Sequence, residues 1–109
     1  MSLPAVTATG RLTADPDLRE TGTGHPVCRV RLACTDRRRQ GGGWADAATT
    51  YLDVDLVGRS APDVAALLRS GDLVVATGAL VQRQRRDGGH AYSLRADALG
   101  RVEVPVSAA

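Results

Sequence analysis

Residues 7–35 read TATGRLTADPDLRETGTGHPVCRVRLACT. Val6–Leu12 mixes β-branched residues with partial alternation and predicts a first strand. Asp15-Pro16-Asp17 is a turn, Leu18–Thr21 a short strand or extended connection, and Thr21–Pro26, with Gly22 and Gly24, a loop or hairpin turn. Val27–Thr35 has the cleanest period of two in the chain. Cys28, Val30, Leu32 and Cys34 share one face, which suits a core, while Val27, Arg29, Arg31, Ala33 and Thr35 share the other, at least partly wet one.

Downstream, Arg37-Arg38-Arg39-Gln40-Gly41-Gly42-Gly43-Trp44 reads as a flexible basic loop running on to about Ala48. Thr49–Gly58 is a strand with Leu52, Val54 and Leu56 on its apolar face and Tyr51, Asp53, Asp55 and Val57 on the other. Ser60–Ser70 is the one good helix: Ser60 as N-cap with Asp63 three residues on, Pro62 in the first turn, an apolar stripe of Val64, Leu67 and Leu68, and Gly71 as a C′ residue. Leu73–Arg86 is a long strand with a possible bend at Gly78, Asp87-Gly88-Gly89 a hairpin turn, and Ala91–Leu99 the returning strand. The order is three strands, a small helix, then two strands. That predicts an all-β fold with the helix between strands 3 and 4.

A chain of 109 residues is one domain. Phe is absent and the only aromatics are Trp44, Tyr51 and Tyr92, so the core must be built from Val, Leu and Ala. All fourteen basic residues are Arg, a choice that fits phosphate forks and base stacking and equally a high-GC codon bias. The net charge of +2 does not demand a polyanionic partner, but its distribution is uneven. Five Arg against one Asp lie between Arg29 and Arg39, and Arg83, Arg85 and Arg86 form a second cluster. No apolar run of membrane-spanning length and no secretory signal pattern is present, so a cytoplasmic protein is the expectation. Cys28 and Cys34 lie six residues apart on one strand, about 20 Å at 3.3 Å per residue, too far to bridge each other. They read as small buried hydrophobes, with an intersubunit bridge as the lesser alternative. His25 and His90 fall in turns without ligand-spaced neighbours, and Asp53 and Asp55 lack a third ligand, so neither catalysis nor a metal site is expected.

The ordered series of fixed points resembles the bacterial single-stranded DNA-binding proteins. It comprises Gly10-Arg11-Leu12, Asp15-Pro16, Leu18-Arg19 and Gly24-His25-Pro26-Val27, then Tyr51–Arg59, Ala65–Leu80, Arg83–Asp87 and Tyr92. The resemblance covers roughly residues 4–104, and its specificity lies in the series rather than in any one tetrapeptide. It implies an OB fold, a five-stranded Greek-key barrel with an extended hairpin, over residues 1–104, with a frayed end at 105–109. It also implies no catalysis, no cofactor, a homotetramer built as a dimer of dimers, and a role in DNA replication, repair or recombination at the nucleoid.

The family binds single strands by stacking bases on aromatics in basic grooves. The residues expected to do so here are Tyr51, Trp44 and Tyr92 as platforms, with Arg29, Arg31, Arg37, Arg38, Arg39, Arg83, Arg85 and Arg86 as cations. Two departures stand out. Val57 and Arg85 replace aromatics that the family carries; guanidinium can stack in part, Val cannot, and Asp55 on the face of Tyr51 would repel phosphate. The expectation is weaker, more Arg-dependent and more salt-sensitive binding. The family's acidic tip, which recruits replication and repair enzymes, has no counterpart in Val104-Pro105-Val106-Ser107-Ala108-Ala109, so recruitment through it is expected to be absent. The rival reading is an OB-fold module kept for self-assembly or a protein partner, with nucleic-acid binding reduced or lost.

Overall fold

Alternation in Val27–Thr35 and Tyr51–Val57 gives each segment one apolar row, and a computed structural model of the chain sets the two rows side by side on one face of the sheet. The structure describes residues 1–103, with side chains at all of these positions except 37, 46 and 47. Its elements are β1 (Ala5–Leu12), β2 (Asp17–Glu20), β3 (Pro26–Gln40), β4 (Gly43–Val57), α1 (Ala61–Leu67), β5 (Leu73–Gln84) and β6 (His90–Arg101). The sheet order is β1-β5-β6-β4-β3-β2, and a further β1–β3 pairing at Arg11↔Ala33 and Leu12↔Leu32 closes a ring of five strands. Short β2 runs along β3 outside that ring, so the extended connection at Leu18 is a strand. All pairings are antiparallel except β4–β6, which is parallel over Asp53–Asp55. A barrel of five strands with its helix between β4 and β5 is the expected OB arrangement.

The core consists of the rows read from the sequence. Cys28, Val30 and Leu32 from β3 and Leu52, Val54 and Leu56 from β4 are buried, joined by Val74, Ala76, Leu94 and Leu99 from the second hairpin. Gly78 is where the long strand yields: the β5–β6 register shifts between Thr77 and Gly78, leaving Asp97 as the extra residue of a bulge. A Cβ at Gly78 would lie 2.1 Å from the Arg95 carbonyl oxygen, so only glycine permits this approach.

Three expectations are corrected. The basic segment from Arg37 to Ala48 is not a loop: β3 and β4 continue as a hairpin to Gln40↔Gly43, with a bulge after Asp36. Gly41 and Gly42, at φ 54° and 83°, form the two-residue turn that lets both strands run to the end, since a primed turn needs positive φ at both positions. The helix is shorter than Ser60–Ser70. Ser60 is itself helical and makes no side-chain cap; Leu68 is already extended; and Gly71, at φ 88°, serves the turn closed by Asp72 N–H to the Arg69 carbonyl. The helix's apolar stripe is also displaced. Ala61 and Leu68 are buried and Val64 and Ala65 pack on the core, whereas Leu67 is exposed. Residue 104, expected to end the domain, and 105–109, expected as the frayed end, lie outside the described residues.

Candidate nucleic-acid interface

Tyr51 belongs to the face of β4 turned away from the core, and Tyr92 to β6, the strand that runs parallel beside it. This places the two rings in one groove of about 460 Å³, lined by Arg31, Thr50, Tyr51, Leu52, Asp53, Arg85, His90, Ala91 and Tyr92. Both tyrosines keep more than half of their surface open, 57% and 53%. The Arg31 guanidinium lies over the Tyr51 ring, 5.1 Å from its centroid, although the direct cross-strand partner of Arg31 is Asp53. The groove therefore combines flat aromatic faces with two guanidinium groups, the pairing that accepts a base of any identity and an adjacent phosphate.

Four of the eleven sequence-predicted residues, Arg31, Tyr51, Arg85 and Tyr92, line this groove. Arg29 and Arg83 stand beside it on β3 and β5, both turned onto Asp55. Trp44 lies apart, at the far end of the β3–β4 hairpin, opposite Arg39 in the pairing and 66% exposed. Arg38 and Arg39 are also exposed on that arm, and Arg38 approaches Asp36 at 3.6 Å. Arg37 is in the arm by its backbone. Arg85 and Arg86 sit in the β5–β6 turn, which Arg85 N–H closes onto the Gly89 carbonyl; the Arg85 guanidinium is 3.0 Å from Asp87.

Asp55 is not the open, repelling charge expected from its strand face. It is only 8% exposed, and Arg29 donates to it twice, Nε to Oδ1 at 2.6 Å and Nη2 to Oδ2 at 2.9 Å. Arg83 Nη2 lies 3.5 Å from Oδ2. The hydrogen bonds to Asp55 raise the Arg29 guanidinium further above its ordinary value. Five groove residues lie outside the predicted set, Thr50, Leu52, Asp53, His90 and Ala91; of the two with ionisable side chains, the sequence reading assigned His90 to a turn and Asp53 to a metal question. Their signal was spacing: His90 precedes Tyr92 by two and Asp53 follows Tyr51 by two, so each shares its neighbour's face.

The model of the Single-strand binding protein family matches residues 3–101. The chain belongs to that family. Within the Single-strand binding protein family it is 39% identical over 87 residues to the single-stranded DNA-binding protein of Mycolicibacterium smegmatis, covering 76% of this chain and 53% of the relative. To single-stranded DNA-binding protein 1 of Tropheryma whipplei it is 44% identical over 87 residues, covering 76% and 47%. The chain thus spans about half the length of these curated relatives. Among solved structures, the small single-stranded DNA-binding protein from Streptomyces coelicolor superposes with a TM-score of 0.82 at 29% identity, over 94% of this chain and 96% of that one. Among the described residues no helix is long and apolar enough to cross a membrane, and no three His, Cys, Asp or Glu side chains are grouped to hold a metal ion.

Proposed function

We propose that residues 1–104 bind single-stranded DNA without sequence preference and without catalysis, by stacking bases on Tyr51 and Tyr92 and engaging phosphates with arginine. The observation that carries this reading is the groove in which Tyr51, Tyr92, Arg31 and Arg85 meet. The names of the related proteins from Mycolicibacterium smegmatis and Tropheryma whipplei support the same ligand. Trp44 with Arg38 and Arg39 extends the basic surface along the hairpin arm. Arg29, Arg37, Arg83 and Arg86 complete the set of cations. The setting is the cytoplasm, at the nucleoid.

The protein acts as a homotetramer, a dimer of dimers. Support for self-assembly comes from β1. From Ala5 to Thr9 it is hydrogen-bonded to β5 on one side, and the β3 pairing begins only at Arg11, so among the described residues a strand edge is left for another copy. The same edge, with half-exposed Val57 where the resemblance expects an aromatic, favours the second reading, a module retained chiefly for assembly.

The test is a titration of Trp44 fluorescence, the only tryptophan signal, with oligo-dT at low and moderate salt, beside a duplex of equal length. Quenching by the single strand that fades with salt supports DNA binding. No quenching and no mobility shift at low salt overturns it in favour of the assembly module. Equal binding of duplex overturns the stacking mechanism.

A further inference from the structure

Asp55 occupies an unusual position for an anion beside a nucleic-acid groove. It lies on the outward row of β4 with Tyr51 and Asp53, yet it is buried. Arg29 comes to it from β3, where it is the direct cross-strand partner, and Arg83 from β5, on the other side of β6. Both guanidinium groups address the same oxygen, Oδ2, through their Nη2 atoms at 2.9 and 3.5 Å. The two cations are therefore held close together, a placement their mutual repulsion would otherwise oppose.

The trio keeps one net positive charge, and it keeps donors. A guanidinium has five N–H groups. Arg29 commits two of them to Asp55, and Arg83 presents one. The arginine side chains remain 45% and 56% exposed while that of Asp55 is 11% exposed, so an approaching anion meets guanidinium before carboxylate. The trio also borders the groove. Arg29 is two residues from Arg31 on one face of β3, Asp55 is two from Asp53 on one face of β4, and Arg83 pairs with groove-lining Ala91.

We infer that Asp55 is a positioning residue, which holds Arg29 and Arg83 together as a ready-made receptor for one backbone phosphate of a single strand. The inference rests on the single-strand reading above and deepens it. An arginine tethered in this way reaches a phosphate without first losing the freedom of a long side chain, which is the advantage of preorganisation. The carboxylate that looked like an obstacle in the sequence becomes the part that fixes the cations.

The experiment uses the whole chain and oligo-dT, with affinity measured across a salt series for wild type, Asp55→Asn, Arg83→Gln and the double variant. Each phosphate contact on a single strand contributes about 0.7 to the slope of log K against log salt. Asp55→Asn adds a net positive charge, yet it should bind more weakly with a slope shallower by about 0.7. Arg83→Gln should weaken wild type but add little to Asp55→Asn. Tighter binding and a steeper slope in Asp55→Asn would mean that the carboxylate merely masks arginine, and would overturn the inference. So would a lowered melting temperature with the slope unchanged. If Asp55→Asn does not fold, Arg29→Gln and Arg83→Gln are combined instead: one shared phosphate requires their losses to be less than additive, and full additivity overturns the inference. Absence of binding by the wild type would overturn the single-strand reading itself, a result distinct from a wild type that binds and a slope that Asp55→Asn leaves unmoved.

Discussion

The guanidinium of Arg31 leans over the ring of Tyr51, its diagonal neighbour, with the carbon 5.1 Å from the ring centroid, rather than forming an ion pair with Asp53 directly across the strands. One face of the tyrosine is thus backed by a cation, an arrangement that contributes about 0.5–1 kcal/mol at an exposed site and would steady the ring for the proposed stacking. Tyr51→Ala should weaken oligo-dT binding by about 1–3 kcal/mol, roughly 5- to 150-fold. Tyr51→Phe should retain most of the affinity. Equal losses in the two variants would remove stacking from the account.

Arg29 is also structural. Arg29→Ala leaves the buried carboxylate of Asp55 with Arg83 alone at 3.5 Å. An under-satisfied buried charge costs about 1–3 kcal/mol, and the half-exposed setting of Arg29 keeps the figure at the lower end. Urea denaturation should show the loss directly. Arg86→Ala, in the exposed turn, should leave the midpoint within the scatter of surface substitutions.

Gly78→Ala forces a methyl against the Arg95 carbonyl. Both groups are backbone-anchored strand neighbours, so the strands must part, at about 1–3 kcal/mol or more. Gly100→Ala, where a Cβ meets nothing within 4 Å, is the matched control and should change the melting temperature little.

The two thiols give the pH dependence. Burial raises the Cys28 thiol, with smaller contributions from Asp17 and Asp55, and burial raises the Cys34 thiol. A thiol raised in the native state contributes stability that is complete below the unfolded thiol value, about 8.5, and is lost as pH climbs through the native one. The difference in stability between wild type and a Cys28→Ala/Cys34→Ala variant should therefore shift against the wild type above about pH 8.5. Labelling with a thiol reagent at neutral pH should be slow, and partly open Cys34 should react before Cys28, which has no exposed surface.

Strand periodicity made the barrel readable, because one buried face per strand imposes a strict period of two and Cys28–Cys34 and Leu52–Leu56 keep it without a break. The hairpin arm was not readable on the same rule. Neither face of Arg38–Trp44 is buried, so no alternation marks it, and three consecutive glycines look like a flexible link until the positive φ of Gly41 and Gly42 reveals a tight turn. The helix boundaries were missed for a related reason: Leu68 is drawn into the core as an extended residue, and its burial outweighs the helical pattern that continues to Ser70. At the site, the aromatics were legible individually, but their meeting depends on the parallel β4–β6 pairing, which is a property of the closed ring. The role of Asp55 was hidden because its second partner, Arg83, lies 28 positions along the chain.

From Cys34 to Thr50 the two arms of the first hairpin pair only with each other, among the described residues, whereas the same strands lower down are flanked by β1, β2 and β6. A two-stranded ribbon without a hydrophobic face is marginal by itself. Its amides should exchange with solvent through local opening, at rates well above those of Val30 or Val54. The β3–β4 pair therefore has two mechanical grades: a lower part braced on both sides by β1, β2 and β6, and a compliant basic finger that, under the proposed function, would follow a strand whose path the barrel does not dictate.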